Sequence, residues 1–164
     1  MIFEVFVEAA KGSRIDDQSH SVAIGRRFPR GARYPADYGF MPWTLADDQN
    51  PLDVVIITDE PSFPGRQLWC RAIAVLWMTD DKGRPDAKIL AAPVGRVEWK
   101  DVDEVPEHLK LEIEHFFDCY KRLESGTRTE VATWDNREAA EREIEESLHR
   151  WSQQRPQKRS EPPA

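Results

Sequence analysis

At 164 residues with a formal net charge of −7, the chain is the size of one ordinary domain and is too acidic to favour a nucleic-acid backbone. Hydrophobic residues make up 40% and charged residues 32%, and no apolar run nears the roughly 20 residues that span a bilayer, so a soluble protein without membrane contact is expected. The opening MIFEVFVEAA holds an acid inside its apolar stretch and no basic segment before it, which argues against a secretory leader and for the cytoplasm. An acidic chain that handles an anionic substrate needs metal ions or a local basic patch.

In chain order, IFEVFVEA alternates like a half-buried strand and SVAIGRRF is compatible with one. PLDVVIITD reads as a buried strand, followed by LWCRAIAVLWMTD, AKILAAPV and TEVATW, with turns rich in Pro, Gly and Asp between them. Short, evenly spaced strands suggest a barrel or a sandwich. Pro106 to Glu124 breaks the pattern: Leu109, Ile113, Phe116, Phe117, Tyr120 and Leu123 recur at helical spacing, with Pro106 at the start and Gly126 past the end. A second helix is predicted from about Asn136 to Trp151, capped by Asp135 with Glu138 three residues on, and facing inward with Ala140, Ile144, Leu148 and Trp151. The class expected is α+β, predominantly β: a closed barrel with two helices packed outside. Residues 1–151 form the domain and the polar segment 152–164 is expected to be disordered. Cys70 and Cys119, each inside an apolar stretch, are expected to be buried and reduced.

Two acidic turns carry the chemistry. DDQNPLDVV places Asp48 and Asp53 around a proline before a strand, and TDDKGRPDAK places Asp80, Asp81 and Asp86 around Gly83 and Pro85, with Lys88 opening the next strand. Carboxylates brought together at one barrel mouth repel unless hard cations lie between them, and Mg²⁺ takes oxygen ligands while keeping several waters. Isolated acidic turns are also common as solvated surface. A third segment, GRRFPRGARYPADYGF, gathers Arg26, Arg27, Arg30 and Arg33 with Tyr34 and Tyr38, groups suited to phosphate oxygens or to a solvated loop.

Four stretches in order, RYPADYGF, DDQNPLDVV, MTDDKGRPDAKILAAP and HFFDCYKRLESG, resemble the soluble inorganic pyrophosphatases of the five-stranded OB-like barrel type, over residues 3 to 151. The resemblance implies metal binding by Asp48, Asp53, Asp80 and Asp86, with Glu8 in the outer metal cluster, and Mg²⁺ as cofactor with Mn²⁺ as a substitute. It implies contact with pyrophosphate or product phosphate by Arg26, Tyr38, Lys88, Tyr120 and Lys121, with Tyr34 as a further active-site tyrosine. Asn50 and Tyr38 stand at the catalytic positions. A homo-oligomer is also implied.

Three positions depart from the family pattern. Its metal motif is Asp-x-Asp-Pro-x-Asp, whereas here Asn50 replaces the acid that takes a proton from the attacking water. Asp16 falls where the family has a phosphate-binding lysine, and Gln18 where it has a glutamate. The implied function is Mg²⁺-assisted hydrolysis of pyrophosphate to two phosphates, slowed by Asn50, because an amide does not accept a proton as a carboxylate does. The alternatives are a weak or inactive paralogue that binds metal and phosphate, or one acting on another phosphoanhydride. An oligonucleotide-binding barrel is disfavoured by the acidic charge.

Overall fold

The computed structural model describes residues 1–14, 33–80, 82–125 and 132–154, with 121–125 described by backbone alone. In chain order the elements are β1 (Ile2–Ala9), β2 (Asp37–Met41), β3 (Leu52–Ile56), β4 (Gln67–Thr79), β5 (Pro85–Pro93), α1 (Glu107–Ser125), β6 (Thr133–Asp135) and α2 (Arg137–Gln154).

Strand order is β1-β2-β3-β5-β4, and β4 pairs back onto β1, so five strands close into a ring and bury their own edges. The 13-residue β4 makes this possible: Gln67–Arg71 pair with β1 and Val75–Trp77 pair with β6. β3 and β5 run parallel while the other neighbours are antiparallel. Past their charged residues both run apolar, through Val54–Ile56 and Ile89–Ala92, because both of their faces are covered.

Alternation in β1 sends Phe3, Val5, Val7 and Ala9 inward. Phe3, Val5 and Val7, together with Val54, Ile56, Val75 and Ile89, fill the ring, and Ala139, Ala140 and Ile144 of α2 join the same cluster, while Ala9 packs in the cluster under α1. α1 lays Ile113, Phe116 and Phe117 against a second cluster, with Val55, Leu76 and Leu90 from the opposite strand faces. Each fully buried aliphatic side chain contributes about 1.5–3 kcal/mol, so both helices are held by packing more than by intrinsic propensity.

Where β1 meets β2 the backbones come very close. A Cβ on Gly39 would lie 2.0 Å from the Phe6 carbonyl oxygen, a contact only glycine avoids. The register slips just beyond, between Val7 and Ala9, so Glu8 sits in a bulge that re-aims its side chain.

Several sequence expectations are corrected. β2 was not legible as a strand. Asn136, not Asp135, caps α2: its Oδ1 accepts the Ala139 amide at 2.9 Å, while Asp135 accepts from Asn136. The buried face of α2 holds Glu143 and Ser147, whereas Leu148 is 36% exposed. The helix runs on through Gln154, three residues into the predicted tail. Cys70 is buried, its thiol pushed up to about 12, but Cys119 is only half-buried, with Sγ 3.7 Å from His115 Nε2. SVAIGRRF and residues 129–131 and 155–164 lie outside the described residues. Among those described, no helix is long and apolar enough to cross a membrane.

Candidate active site

The parallel pairing of β3 with β5 sets Asp53 directly beside Lys88. Asp86 lies two residues before Lys88 and therefore on the same face of β5. Lys88 Nζ bonds Asp53 Oδ2 and lies 3.1 Å from Asp86 Oδ1, so one ammonium is shared by two carboxylates. It is only 7% exposed and sits 5.3 Å from the Phe117 ring centroid. Burial alone would depress its pKa, but the two carboxylates outweigh that and hold the ammonium above the ordinary lysine range.

β2 adds Tyr38, whose hydroxyl hydrogen-bonds Asp53. Burial, then the Asp53 charge and hydrogen bond, then Tyr120 and Glu8 push the phenol well above its usual value, so it stays protonated and able to donate. Tyr34 stacks on Tyr38 with centroids 5.8 Å apart, and Phe116 and Phe117 of α1 pack against the pair. Glu8 is raised by desolvation and then by Asp53, which places it within electrostatic reach of that carboxylate.

The third wall is the loop before β3. Thr44 Oγ1 donates to the Met41 carbonyl and accepts the Leu52 amide at 2.9 Å, which joins the two ends of the loop. Within it the Ala46 amide donates to the Asn50 carbonyl at 2.8 Å and Gln49 adopts φ 70°, a left-handed conformation that non-glycine residues rarely take. This turn sets Asp48 and Asn50 side by side, and Asn50 donates to both Asp48 oxygens.

These walls enclose a cavity of about 230 Å³. Asp48, Asn50, Asp53, Asp86 and Lys88 supply its polar side; Tyr34, Tyr38, Phe116, Phe117 and Tyr120 supply the aromatic one. A cavity of about 320 Å³ lies elsewhere, beside Thr58–Ser62, Arg66 and Arg96. Its charged groups are all solvent-exposed and none makes a salt bridge among the described residues, so the smaller, electrostatically coupled cavity is the stronger candidate.

Asp80 does not line that cavity. Its carboxylate takes the Arg84 guanidinium at 2.7 Å and the amides of Lys82 and Arg84 at 2.9 and 2.8 Å. Although desolvation works the other way, these bonds, led by the Arg84 amide, hold its pKa below the usual value. Arg26, Asp16, Gln18 and Asp81 lie outside the described residues, as does the side chain of Lys121.

Among the described residues no three His, Cys, Asp or Glu side chains converge closely enough to form a metal cage. The donor set still fits a hard cation. Asp48, Asp53 and Asp86 present carboxylate oxygens to one cavity, and Mg²⁺ retains waters and needs few direct protein ligands. Sequence reasoning placed Phe117 only on the stripe of the predicted helix and so missed it as a floor beneath Lys88, and it missed Arg84, which the spacing in TDDKGRPD places close enough to reach Asp80.

The inorganic pyrophosphatase family model matches residues 1–152. An inorganic pyrophosphatase of Streptomyces coelicolor is 44% identical over 161 residues, covering 94% of this chain and 98% of that one. One of Geobacillus stearothermophilus is 38% identical, covering 94% and 96%. Among solved structures, the inorganic pyrophosphatase of Thermus thermophilus superposes with TM-score 0.77 at 32% identity, covering 92% of this chain and 91% of that one. That of Coxiella burnetii gives 0.76 at 34%, covering 92% and 95%. With the match spanning nearly every described element, this chain belongs to the inorganic pyrophosphatase family.

Proposed function

We propose that the chain hydrolyses inorganic pyrophosphate to two phosphates. The observation that carries this reading is Lys88, a buried ammonium shared by Asp53 and Asp86 in the cavity that Asp48, Tyr38 and Tyr120 also line. Asp48, Asp53 and Asp86 would hold Mg²⁺ or Mn²⁺, with Glu8 outside them; Asp80 would join them only on releasing Arg84. Bound there, the ion would supply charge neutralisation of the phosphoryl groups and acidification of water.

The remaining steps belong to the protein's own side chains. Lys88 and Tyr38 donate to phosphoryl oxygens, and both are kept protonated by their surroundings. Tyr120 extends the same wall, with Arg26 and Lys121 as further phosphate contacts. Asn50 orients water through its side-chain oxygen but cannot carry the proton away, so turnover is slowed. The reading extends to a homo-oligomer in the cytoplasm, with 1–151 as one domain.

Phosphate release from pyrophosphate with Mg²⁺ tests it. Release that Mg²⁺ supports and EDTA abolishes is expected; a folded protein that releases none would leave the second reading, binding without turnover, which Asn50 favours.

A further inference from the structure

We infer that the last turns of α2 position the loop that bears Asp48 and Asn50, with Arg150 as the positioning residue. The inference rests on the reading above that this loop serves the metal and the attacking water.

The loop is strained and its support comes from far along the chain. Gln49, between the two site residues, is held at φ 70°. α2 takes both backbone groups of Leu45: the amide donates to the Ser147 carbonyl at 3.0 Å, and the carbonyl accepts from Arg150 Nε at 2.8 Å. Gln154 Nε2 reaches the side-chain oxygen of Gln49 at 3.0 Å. Trp151 meets Trp43, the other left-handed non-glycine residue among the described residues, edge to face at 5.2 Å. Both ends of the strained stretch and its middle are thus tied to one helix.

Arg150 is itself aimed. Its Nη2 donates to Glu143 Oε1 at 2.5 Å and to Ser147 Oγ at 2.9 Å, while Nη1 lies 3.7 Å from Asp47 Oδ1, beside Asp48. Glu143 is buried at 6% exposure on a face where Ala139, Ala140 and Ile144 do the packing. Apolar contacts alone would dock the helix; the buried acid adds a fixed direction for the guanidinium. A planar fork reaches a carbonyl, a carboxylate and a hydroxyl together, which a lysine ammonium on a flexible stem cannot do in one geometry. Arg150 touches neither Asp48 nor Asn50 and acts through Leu45 and Asp47.

The test uses the full chain, Mn²⁺ as the probe followed by electron paramagnetic resonance titration, and amide hydrogen exchange without metal. Arg150→Ala is expected to weaken Mn²⁺ binding about tenfold, the lower end of what outer-shell substitutions cost a metal site. Exchange at the Leu45, Ala46 and Gln49 amides should quicken, and Arg150→Lys should recover part of the affinity. Should Arg150→Ala fail to fold, Gln154→Ala removes an exposed contact to the loop alone and is expected to speed exchange at Gln49 and Asn50 with an unchanged melting temperature. Mn²⁺ affinity and loop exchange that match wild type in the folded variants would overturn the positioning role, as would a wild type that binds no Mn²⁺. Phosphate release run in parallel separates the two readings. A wild type that binds Mn²⁺ without hydrolysing pyrophosphate sinks the catalytic reading alone. An active wild type whose Arg150→Ala form keeps the same Mn²⁺ affinity and KM sinks the positioning role alone.

Discussion

Asn50 donates twice to Asp48, from its backbone amide to Oδ1 at 3.0 Å and from Nδ2 to Oδ2 at 3.1 Å. The amide at position 50 is therefore more than a lost acid. It acts as a donor that satisfies its neighbour's carboxylate, where an aspartate would set a second negative charge against it.

Asn50→Asp should accordingly change the protein in two opposite ways. Without metal it loses the side-chain hydrogen bond and gains like-charge repulsion, so its melting temperature should fall below wild type. With saturating Mg²⁺ the cation compensates both carboxylates, and the new base should raise phosphate release by about 30- to 1000-fold, the span of about 2–4 kcal/mol in a barrier. Melts with and without Mg²⁺, and rates across about pH 6 to 10, check both halves. A variant that folds, binds metal and shows no rate gain would remove Asn50 as the cause of slow turnover.

Lys88→Met leaves Asp53 and Asp86 facing each other without their shared ammonium. Removing one partner from a largely buried ion pair costs about 3–5 kcal/mol, so the metal-free variant should melt well below wild type. Mg²⁺ supplies a replacement cation to the same carboxylates, so the deficit should shrink as Mg²⁺ is added, while pyrophosphate binding stays weak for want of the donor. Differential scanning calorimetry over a Mg²⁺ series measures this. A deficit that Mg²⁺ leaves untouched would show that Asp53 and Asp86 do not bind the ion.

Glu143 provides a pH test away from the cavity. Burial holds its carboxyl above the ordinary value, in spite of Arg150 and Ser147, with Asp47 adding to the rise. A carboxyl whose folded pKa exceeds its unfolded one contributes stability that is complete below the unfolded value of about 4.3 and is lost as pH rises through the folded value. Glu143→Gln keeps an acceptor for Arg150 and Ser147 but does not titrate. Urea unfolding at about pH 4 and pH 7 should show the stability difference moving in the variant's favour at the higher pH. Movement the other way would mean that the Arg150 pair outweighs burial.

Much of this molecule was legible in the sequence because the signals were local. The stripe from Leu109 to Tyr120 spells α1, alternation in IFEVFVEA spells β1, and the order of four short motifs points to the family and its barrel. What the tertiary structure decided involves residues distant in sequence. Asp37–Met41 carries only five residues and an interior glycine, too little periodicity to declare a strand until Gly39 is seen pressed against Phe6. Lys88 becomes the shared partner of Asp53 and Asp86 through the parallel register of β3 with β5, across 35 residues, and no local pattern encodes a register. Arg150 reaches Leu45 across 105 residues, and the helical pattern of α2 could not disclose it, because periodicity reports which residues share a face and not which distant loop that face meets.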